Sequence, residues 1–268
     1  MNNTYQIYLI SDSTGETIDR IFLALQAQFS KFKHKSHQYA FTRTENQIIK
    51  ILDICKEKKV SIILYTIVDT RLAQFLVAKS KEANIPCFGV LEDLILRFSK
   101  LLDKKASHIP SGQHALDEDY YKRIEAIQFT MTHDDGKIIN DIEKSDIVLL
   151  GISRTSKTPT SIYLANRGYK TCNIPIINEN SIPNKLTENS KTPCVVGLIA
   201  EPLRVLDVRK NRMNFLNKEK TSSYTDIEKI RLELEISKNI FKKNNWPVID
   251  VTRKSVEETA ASVIQIYD

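Results

Sequence analysis

The chain lacks the features that would assign it to several classes of protein. Its four cysteines, Cys55, Cys87, Cys172 and Cys194, lie far apart and form no C-x-x-C pair, so neither a zinc site nor a disulfide framework is indicated. No apolar run approaches the roughly 18 residues that a membrane span needs. The N-terminus has no basic region before its apolar run, as a secretory signal would have. We therefore expect a soluble cytoplasmic protein with reduced thiols and no membrane contact.

The sequence also lacks the signatures of nucleic-acid binding. Its formal net charge is +6 and its pI is about 9.0, which favours anionic partners such as nucleotides, phosphate, nucleic acid or an acidic protein face. However, Lys and Arg are spread along the chain except in the patch Arg204–Lys220, and there is no zinc knuckle, aromatic ribonucleoprotein string or helix-turn-helix pattern. Nucleic acid is therefore not an expected partner. The patch is equally well interpreted as a solvated helix face.

Apolar patterning predicts strands that alternate with helices along the whole chain. In the first part, the predicted strands are Tyr5–Ile10, His37–Thr42, Val60–Ile67 and Pro86–Val90, and the predicted helices are Ile18–Phe29, Gln47–Cys55, Arg71–Ala83 and Leu91–Leu102. This alternation predicts an α/β fold with a parallel sheet and right-handed crossovers. The polar, turn-rich stretch Lys104–Gln113 marks a boundary, so we predict an N-terminal α/β domain at 1–105 and a C-terminal nucleotide-binding domain at 106–268.

The second part continues the pattern around one central strand-turn-helix unit. Strands are predicted at Ile147–Leu150, Ile174–Ile177, Cys194–Ile199 and Trp246–Thr252, and helices at Asp117–Thr130, from Pro159 onward with Ile162, Tyr163 and Leu164 as its apolar face, from Pro202, at Tyr224–Phe241 and at Ser255–Ile266. The polar segment Asn178–Lys191 is predicted to be a loop. Ile147–Leu150 is an uninterrupted apolar run, which is typical of a strand buried on both faces of a parallel sheet.

The turn after this central strand has the spacing of a phosphate-binding loop. Its string is G-x-x-x-x-S-K-T, one residue away from G-x-x-x-x-G-K-[ST], and we predict that it binds phosphate through Gly151, Ile152, Ser153, Arg154, Thr155, Ser156, Lys157 and Thr158. Backbone N–H groups at a helix N-terminus face phosphates, and a lysine neutralises them. Ser156 stands where glycine is usual, so we expect the loop to bend differently there or to avoid a positive φ. The alternative is an ordinary turn with solvated Arg154 and Lys157.

Two adjacent carboxylates precede this loop. In His133-Asp134-Asp135-Gly136 the two aspartates do not point the same way, so we expect them to have different roles. One would take the proton from an attacking hydroxyl or phosphate, and the other would bind magnesium or orient Arg154. Asp-Asp-Gly found alone is usually only a turn. His133 is a secondary candidate, and His114 is a weaker one.

Three further segments carry candidate functional residues. Ser11–Thr17 follows the first strand, and we interpret it as the edge of a second site or as a helix start capped by Ser13 or Thr14. The predicted helix that begins at Glu201-Pro202 carries Arg204, Arg209 and Arg212, which suit phosphate or carboxylate recognition. Asp250 ends a predicted strand, where it would either serve a metal ion or terminate the strand.

Three strings together resemble one known family. They are GISRTSKTPTSIYLANRGYKTCNIPI, SDSTGET at Ser11–Thr17 and HDDG at His133–Gly136, and the resemblance to the pyruvate, phosphate dikinase regulatory protein family extends from Ile7 to Val263. The resemblance implies a bifunctional enzyme. Its kinase activity would use ADP to phosphorylate a threonine of the dikinase, and its phosphorylase activity would remove that phosphate with inorganic phosphate and release pyrophosphate. Some bacterial relatives act on phosphoenolpyruvate synthase instead, so the target stays open.

With this family in view, the expected roles are as follows. Lys157 and the loop amides hold the donor's phosphates, Arg154 stabilises the transferring group, Thr158 with a carboxylate holds Mg²⁺, and Asp134 or Asp135 is the base. The alternatives are an ATP-dependent kinase of a small metabolite, a nucleotide sensor without turnover, and a regulator that acts by association alone. A homodimer is expected only from the frequency of two-fold oligomers.

Overall fold

The computed structural model describes residues 4–29, 32–58, 60–112, 118–136, 141–188, 193–215 and 224–268. The chain divides into two compact units, Met1–Ala115 and Leu116–Asp268. Each unit contains a four-stranded parallel sheet with helices between the strands, which confirms the predicted α/β fold class. The division lies further along the chain than the boundary predicted after residue 105.

The first unit is a sheet with the strand order β2-β1-β3-β4, in which every pairing is parallel. Its strands are β1 (Tyr5–Ser11), β2 (His34–Tyr39), β3 (Ser61–Thr66) and β4 (Cys87–Gly89). Its helices are α1 (Glu16–Gln26), α2 (Glu45–Lys56), α3 (Thr70–Glu82) and α4 (Glu92–Leu102). β1 and β3 are central, and their last residues, Ser11 and Thr66, are register partners.

Local sequence explains most of these elements. Thr44 and Gln47 form a reciprocal capping box at the start of α2, and the Asp69 side chain accepts a hydrogen bond from the Leu72 N–H at the start of α3. The central strands have apolar side chains on both faces, and buried clusters lie on each face. The start of α1 differs from the prediction. Gly15, at φ 85°, is its N-cap, and no side chain caps the helix, so the caps predicted at Ser13 or Thr14 are wrong.

The second unit repeats the topology of the first, with the strand order β6-β5-β7-β8. Its strands are β5 (Ile147–Gly151), β6 (Thr171–Pro175), β7 (Cys194–Ile199) and β8 (Val248–Asp250). Its helices are α5 (Glu118–Thr132), α6 (Lys157–Asn166), α7 (Lys185–Glu188), α8 (Pro202–Phe215), α9 (Ile227–Lys243) and α10 (Val256–Tyr267). The central strand β5 is buried along its whole length, as its apolar run predicts.

Buried polar side chains explain two departures from the predicted elements of this unit. The strand predicted at Ile174–Ile177 begins earlier, at Thr171, because polar residues in it are buried and hydrogen-bonded. Similarly, α6 buries Thr160 and Ser161 while Ile162 is exposed, so its face toward the sheet is not the apolar stripe predicted from Ile162, Tyr163 and Leu164.

The segment predicted as a loop after β6 is partly helical. It contains the short helix α7, whose Leu186 is buried in an apolar cluster beside β6. The surrounding sequence is polar, and one apolar residue gives no periodic pattern from which a helix could be predicted.

Candidate functional site

The loop between β5 and α6 has a backbone conformation suited to binding an anion. Arg154 has φ 75° and Ser156 has φ 60°, so two non-glycine residues adopt left-handed conformations within three positions. The expectation that Ser156 avoids a positive φ is therefore wrong. A non-glycine residue in this region is disfavoured by about 1–2 kcal/mol. Ser156 is the N-cap of α6, and its side chain makes no capping hydrogen bond. The first N–H groups of α6 therefore point toward the loop without an acceptor from the N-cap side chain.

Glycine is required at the first position of the loop. A Cβ on Gly151 would lie 2.5 Å from the carbonyl oxygen of Leu198 and 2.8 Å from the Thr155 hydroxyl. Since Leu198 belongs to the neighbouring strand β7, the close approach fixes how the loop leaves the sheet. The Thr155 side chain is fully buried, and its hydroxyl donates to the Ile152 carbonyl across 2.9 Å, so these two residues form the floor of the loop.

Lys157 is folded against this floor. Its side chain is only 5% exposed, and its Nζ donates a hydrogen bond to the same Ile152 carbonyl at 2.9 Å. Burial lowers the pKa of Lys157 to about 8, against the opposing effect of the Asp135 carboxylate, while the cation of Arg154 lowers it further. A buried ammonium with one hydrogen bond gains the most from an anion brought next to it, because it is otherwise poorly solvated.

The two aspartates predicted as the acid–base pair take different positions. Asp134 is tied into the unit, since its Oδ1 accepts hydrogen bonds from the Thr158 hydroxyl at 3.0 Å and from the Asn173 side-chain amide. The Asp135 N–H donates to Asn173 Oδ1 at 3.1 Å, and Asp135 has φ 54°. Asp134 is therefore anchored through its side chain, whereas Asp135 is held through its backbone and its side chain is exposed.

The loop and Asp135 line the same cavity. This cavity has a volume of about 240 Å³ and lies at the carboxyl ends of the strands, where α/β sheets bind ligands. Its walls are formed by Asp135, Ser153, Arg154, Ser156, Lys157, Thr158, Pro159, Pro175 and Val208. The structure therefore brings together five of the eight residues predicted to bind phosphate with one of the two predicted carboxylates. Gly151, Ile152 and Thr155 support the cavity from below.

Sequence reasoning missed the residues that support this loop from distant segments. Asn173 is fully buried in β6 and holds both aspartates, and no local motif surrounds it. Tyr224 lies near the loop, and its hydroxyl is 3.1 Å from Ser153 Oγ and accepts from Arg154 Nε at 3.2 Å. A lone tyrosine before a helix gives no signal in the sequence for such a role.

Arg209 has a supporting position instead of the predicted ligand-binding one. It is 1% exposed, it forms a 2.6 Å ion pair with Glu233, and it donates to the Ser153 carbonyl at 3.3 Å. Its guanidinium also lies 4.7 Å from the centre of the Tyr224 ring and donates to the Tyr224 carbonyl. Arg209, on α8, thus connects that helix to α9 through Glu233 and to the β5–α6 loop through the Ser153 carbonyl. Arg204 and Arg212, on the same helix, are exposed.

The remaining candidates take structural positions. His133 is buried, its ring stacks on Phe129 at 3.9 Å, and its Nδ1 lies 2.8 Å from the Phe129 carbonyl. Asp250 Oδ1 accepts hydrogen bonds from the Thr252 hydroxyl and N–H, and the hydroxyl bond lowers the pKa of Asp250. His114 lies outside the described residues. Among the residues that the structure describes, no three His, Cys, Asp or Glu side chains cluster as a metal site.

Comparison with known proteins identifies the class to which this fold and loop belong. The family described as "Kinase/pyrophosphorylase" matches residues 7–264, and the chain belongs to that family. The family's name implies phosphotransfer, which agrees with a loop and a helix N-terminus at the end of a central parallel strand.

Individual relatives cover nearly the full chain and carry the name "Putative pyruvate, phosphate dikinase regulatory protein". A protein of Pelagibacter ubique is 64% identical over 268 residues, which is 100% of this chain and 98% of the relative. Proteins of Chelativorans sp. and Rhizobium meliloti are 44% and 42% identical over 262 and 265 residues, each covering 98% of this chain and 96% of the relative. In the described parts of the chain, no helix has both the length and the apolar character to cross a bilayer.

Proposed function

We propose that this protein is a bifunctional regulator of pyruvate, phosphate dikinase. As a kinase it transfers the terminal phosphoryl group of ADP to a threonine of the dikinase, and as a phosphorylase it moves that group to inorganic phosphate. The observation that carries the proposal is that Lys157, Arg154 and Asp135 line one cavity at an uncapped helix N-terminus. The family and the printed names of the relatives support the choice of reaction and target.

In the kinase direction, the threonine oxygen bonds to the β-phosphorus of ADP while the bond from that phosphorus to the bridging oxygen breaks and AMP leaves. Lys157 and the N–H groups of α6 hold the phosphates, and Arg154 balances charge on the group in transit. Asp135 takes the threonine proton, since its carboxylate lies in the cavity with the cations. Asp134 positions Thr158 and Asn173.

In the phosphorylase direction, an oxygen of inorganic phosphate attacks the phosphothreonine phosphorus, and pyrophosphate forms as the threonine oxygen leaves. The leaving oxygen needs a proton, which Asp135 supplies after taking it from the incoming inorganic phosphate, as the reverse of its first role. The same phosphate-binding loop serves both reactions. In the phosphorylase reaction, inorganic phosphate lies next to the transferred phosphoryl group, where the AMP part of ADP lies in the kinase reaction.

The side chains that line this cavity also suit one magnesium ion whose other ligands are oxygens of the substrate phosphates. Mg²⁺ in kinase sites is held by one or two carboxylates together with substrate phosphates. The Thr158 hydroxyl and the Asp135 carboxylate are the groups in this cavity that would hold it, and it would supply charge neutralisation between the phosphates.

A direct transfer assay tests the proposal. Purified dikinase and, in parallel, purified phosphoenolpyruvate synthase are incubated with the protein and with ADP labelled at its β-phosphate or ATP labelled at its γ-phosphate. We expect label from ADP on a threonine of the dikinase, and we expect added inorganic phosphate to remove it as labelled pyrophosphate. Label on the synthase alone would assign the other target, and label only from ATP would contradict the ADP-dependent mechanism.

A matched pair of variants ties the activity to the cavity. Lys157→Ala is expected to lower both activities by about 10²-fold or more, since it removes a cation from a preorganised site. Lys242→Ala removes an exposed lysine of α9 and is expected to leave both activities unchanged. Equal activities in the two variants would show that the reaction takes place elsewhere.

A further inference from the structure

The first unit has a loop that corresponds to the β5–α6 loop in position and in the left-handed conformation of its last residue. Both units have the same strand order, and both loops follow the first strand of their sheet. In each, the residue before the helix is left-handed and carries no capping side chain: Gly15 at φ 85° before α1, and Ser156 at φ 60° before α6. The next residue differs in charge, because Glu16 stands where the second loop has Lys157.

A cavity of about 180 Å³ lies beside the first unit's loop, at the carboxyl ends of β1 and β3. These two strands are neighbours whose following helices lead to opposite edges of the sheet, and crevices at such positions bind ligands in α/β folds. Ser11, Asp12 and Thr66 give the cavity a polar side, while Val68, Leu91 and Ile109 give it an apolar side. None of the described residues that line it is a lysine or an arginine.

The polar side presents two polar atoms that make no hydrogen bond to any described residue, one on Thr66 and one on Asp12. Thr66 is 5% exposed, and its hydroxyl makes no hydrogen bond within the described part of the chain. Asp12 is 2% exposed; its Oδ2 accepts from the Val68 N–H at 2.7 Å, whereas Oδ1 accepts from none of the described residues. Neither atom is among the fully enclosed unpartnered polar atoms of the described residues, so both are open to the cavity and available to a ligand that enters it.

The charge of these groups selects the class of ligand. A phosphate would need donors only and would be repelled by the Asp12 carboxylate. Among the described residues, Arg43 donates to the Asp12 carbonyl and the Ser111 hydroxyl but does not itself line the wall. A ligand hydroxyl can donate to Asp12 Oδ1, and a neighbouring hydroxyl can accept from Thr66. Carbon atoms of a ring would then rest against Val68, Leu91 and Ile109. We propose that this cavity binds a small neutral ligand with neighbouring hydroxyls, such as a free sugar or the ribose of a nucleoside.

The proposal is tested with the full-length protein by two-dimensional NMR titration with D-ribose, 2-deoxy-D-ribose, adenosine and inorganic phosphate. The amides of Gly15 and Thr66 report on this cavity, and those of Gly151 and Thr158 report on the phosphate loop. We expect ribose or adenosine to shift Gly15 and Thr66, and phosphate to shift only Gly151 and Thr158. Adenosine binding without ribose binding would identify the nucleoside as the source of the hydroxyls.

Variants assign the contacts. Thr66→Val keeps the shape of the side chain and is expected to weaken ribose or adenosine about ten-fold, as loss of one hydrogen bond would. Asp12→Asn keeps an acceptor for the Val68 N–H but replaces the open oxygen with a donor, and it should abolish binding. Ser80→Ala removes a fully buried hydroxyl of α3 outside the cavity and should change nothing.

Three outcomes would overturn the proposal. The first is that no probe shifts Gly15 or Thr66. The second is that phosphate shifts them and the sugars do not. The third is that 2-deoxy-D-ribose binds as well as ribose, since neighbouring hydroxyls would then have no role. None of these outcomes bears on phosphotransfer in the second unit, which the labelling assay measures separately.

Discussion

The Thr158 hydroxyl donates a hydrogen bond to Oδ1 of Asp134 across 3.0 Å, which joins the start of α6 to the turn that carries both aspartates. This contact occupies the Asp134 oxygen that Asn173 also reaches, whereas Asp135 faces the cavity. Asp135→Asn is therefore expected to lower transfer about 10²-fold or more. Asp134→Asn retains an Oδ1 acceptor and should lower transfer by about ten-fold at most. Single-turnover rates separate the two, and the reverse order would make Asp134 the base.

Tyr224→Phe tests the contact that restrains Arg154. The substitution removes the hydroxyl near Ser153 Oγ and Arg154 Nε but keeps the ring beside Arg209. We expect the transfer rate to fall about ten-fold with little change in Tm, since one hydrogen bond to a charged group is lost. Tyr163→Phe is the matched control, because its hydroxyl accepts from Arg167 at 3.1 Å outside the cavity. Equal rates in both variants would contradict a role for Tyr224.

Gly15 before α1 and Ser156 before α6 both have a positive φ. Glycine and serine can therefore be exchanged between these two positions as a test of backbone strain. Ser156→Gly relieves backbone strain at an exposed side chain and is expected to raise the free energy of unfolding by about 1 kcal/mol. Gly15→Ser introduces the same strain at φ 85° and is expected to lower it by about 1 kcal/mol. Urea titrations of each variant measure both changes. If the two changes have the same sign, the backbone conformation does not control stability at these positions.

The lowered pKa of Lys157 makes stability depend on pH. In the folded protein its pKa is about 8, below the ordinary value of 10.5, so between these values the unfolded chain binds more protons. Stability contributed by this group therefore rises with pH across that window, by on the order of 3 kcal/mol in total. The penalty of burying the ammonium is fully present below pH 8.

Lys157→Met isolates this effect because its side chain does not titrate. The difference in unfolding free energy between the wild type and this variant is measured at several pH values from 7 to 10.5. It should shift in favour of the wild type as pH rises. A constant difference would mean that burial does not lower the Lys157 pKa.

Arg209→Met removes the buried cation of the ion pair with Glu233, whose side chain is 30% exposed and stays partly solvated. We expect the second unit to lose about 2 kcal/mol of stability, as when hydrogen bonds to a charged group are lost. Arg204→Met, at an exposed position of the same helix, should change stability by about 0.5 kcal/mol or less. Chemical denaturation compares the two, and similar effects would show that the Arg209 ion pair contributes little.

The strand, turn and helix around the β5–α6 loop could be predicted from sequence because they are consecutive along the chain. Gly151, Lys157 and Thr158 need only local backbone geometry to come together. The supporting residues could not be predicted, since Asn173 lies on another strand and Tyr224 on a distant segment, and only the folded sheet brings them to the loop. The conformation of Ser156 was missed for a different reason: residue type favours a negative φ, and tertiary context overrides that preference.

Each unit has buried apolar clusters on its own sheet, formed by residues of that unit alone. Two-state melting is usual for a single domain with one core, and a chain with a core in each unit can unfold in two transitions. Calorimetry of this protein is therefore expected to show two overlapping heat-absorption peaks. Nucleotide added to the second unit would move one peak upward in temperature and leave the other in place.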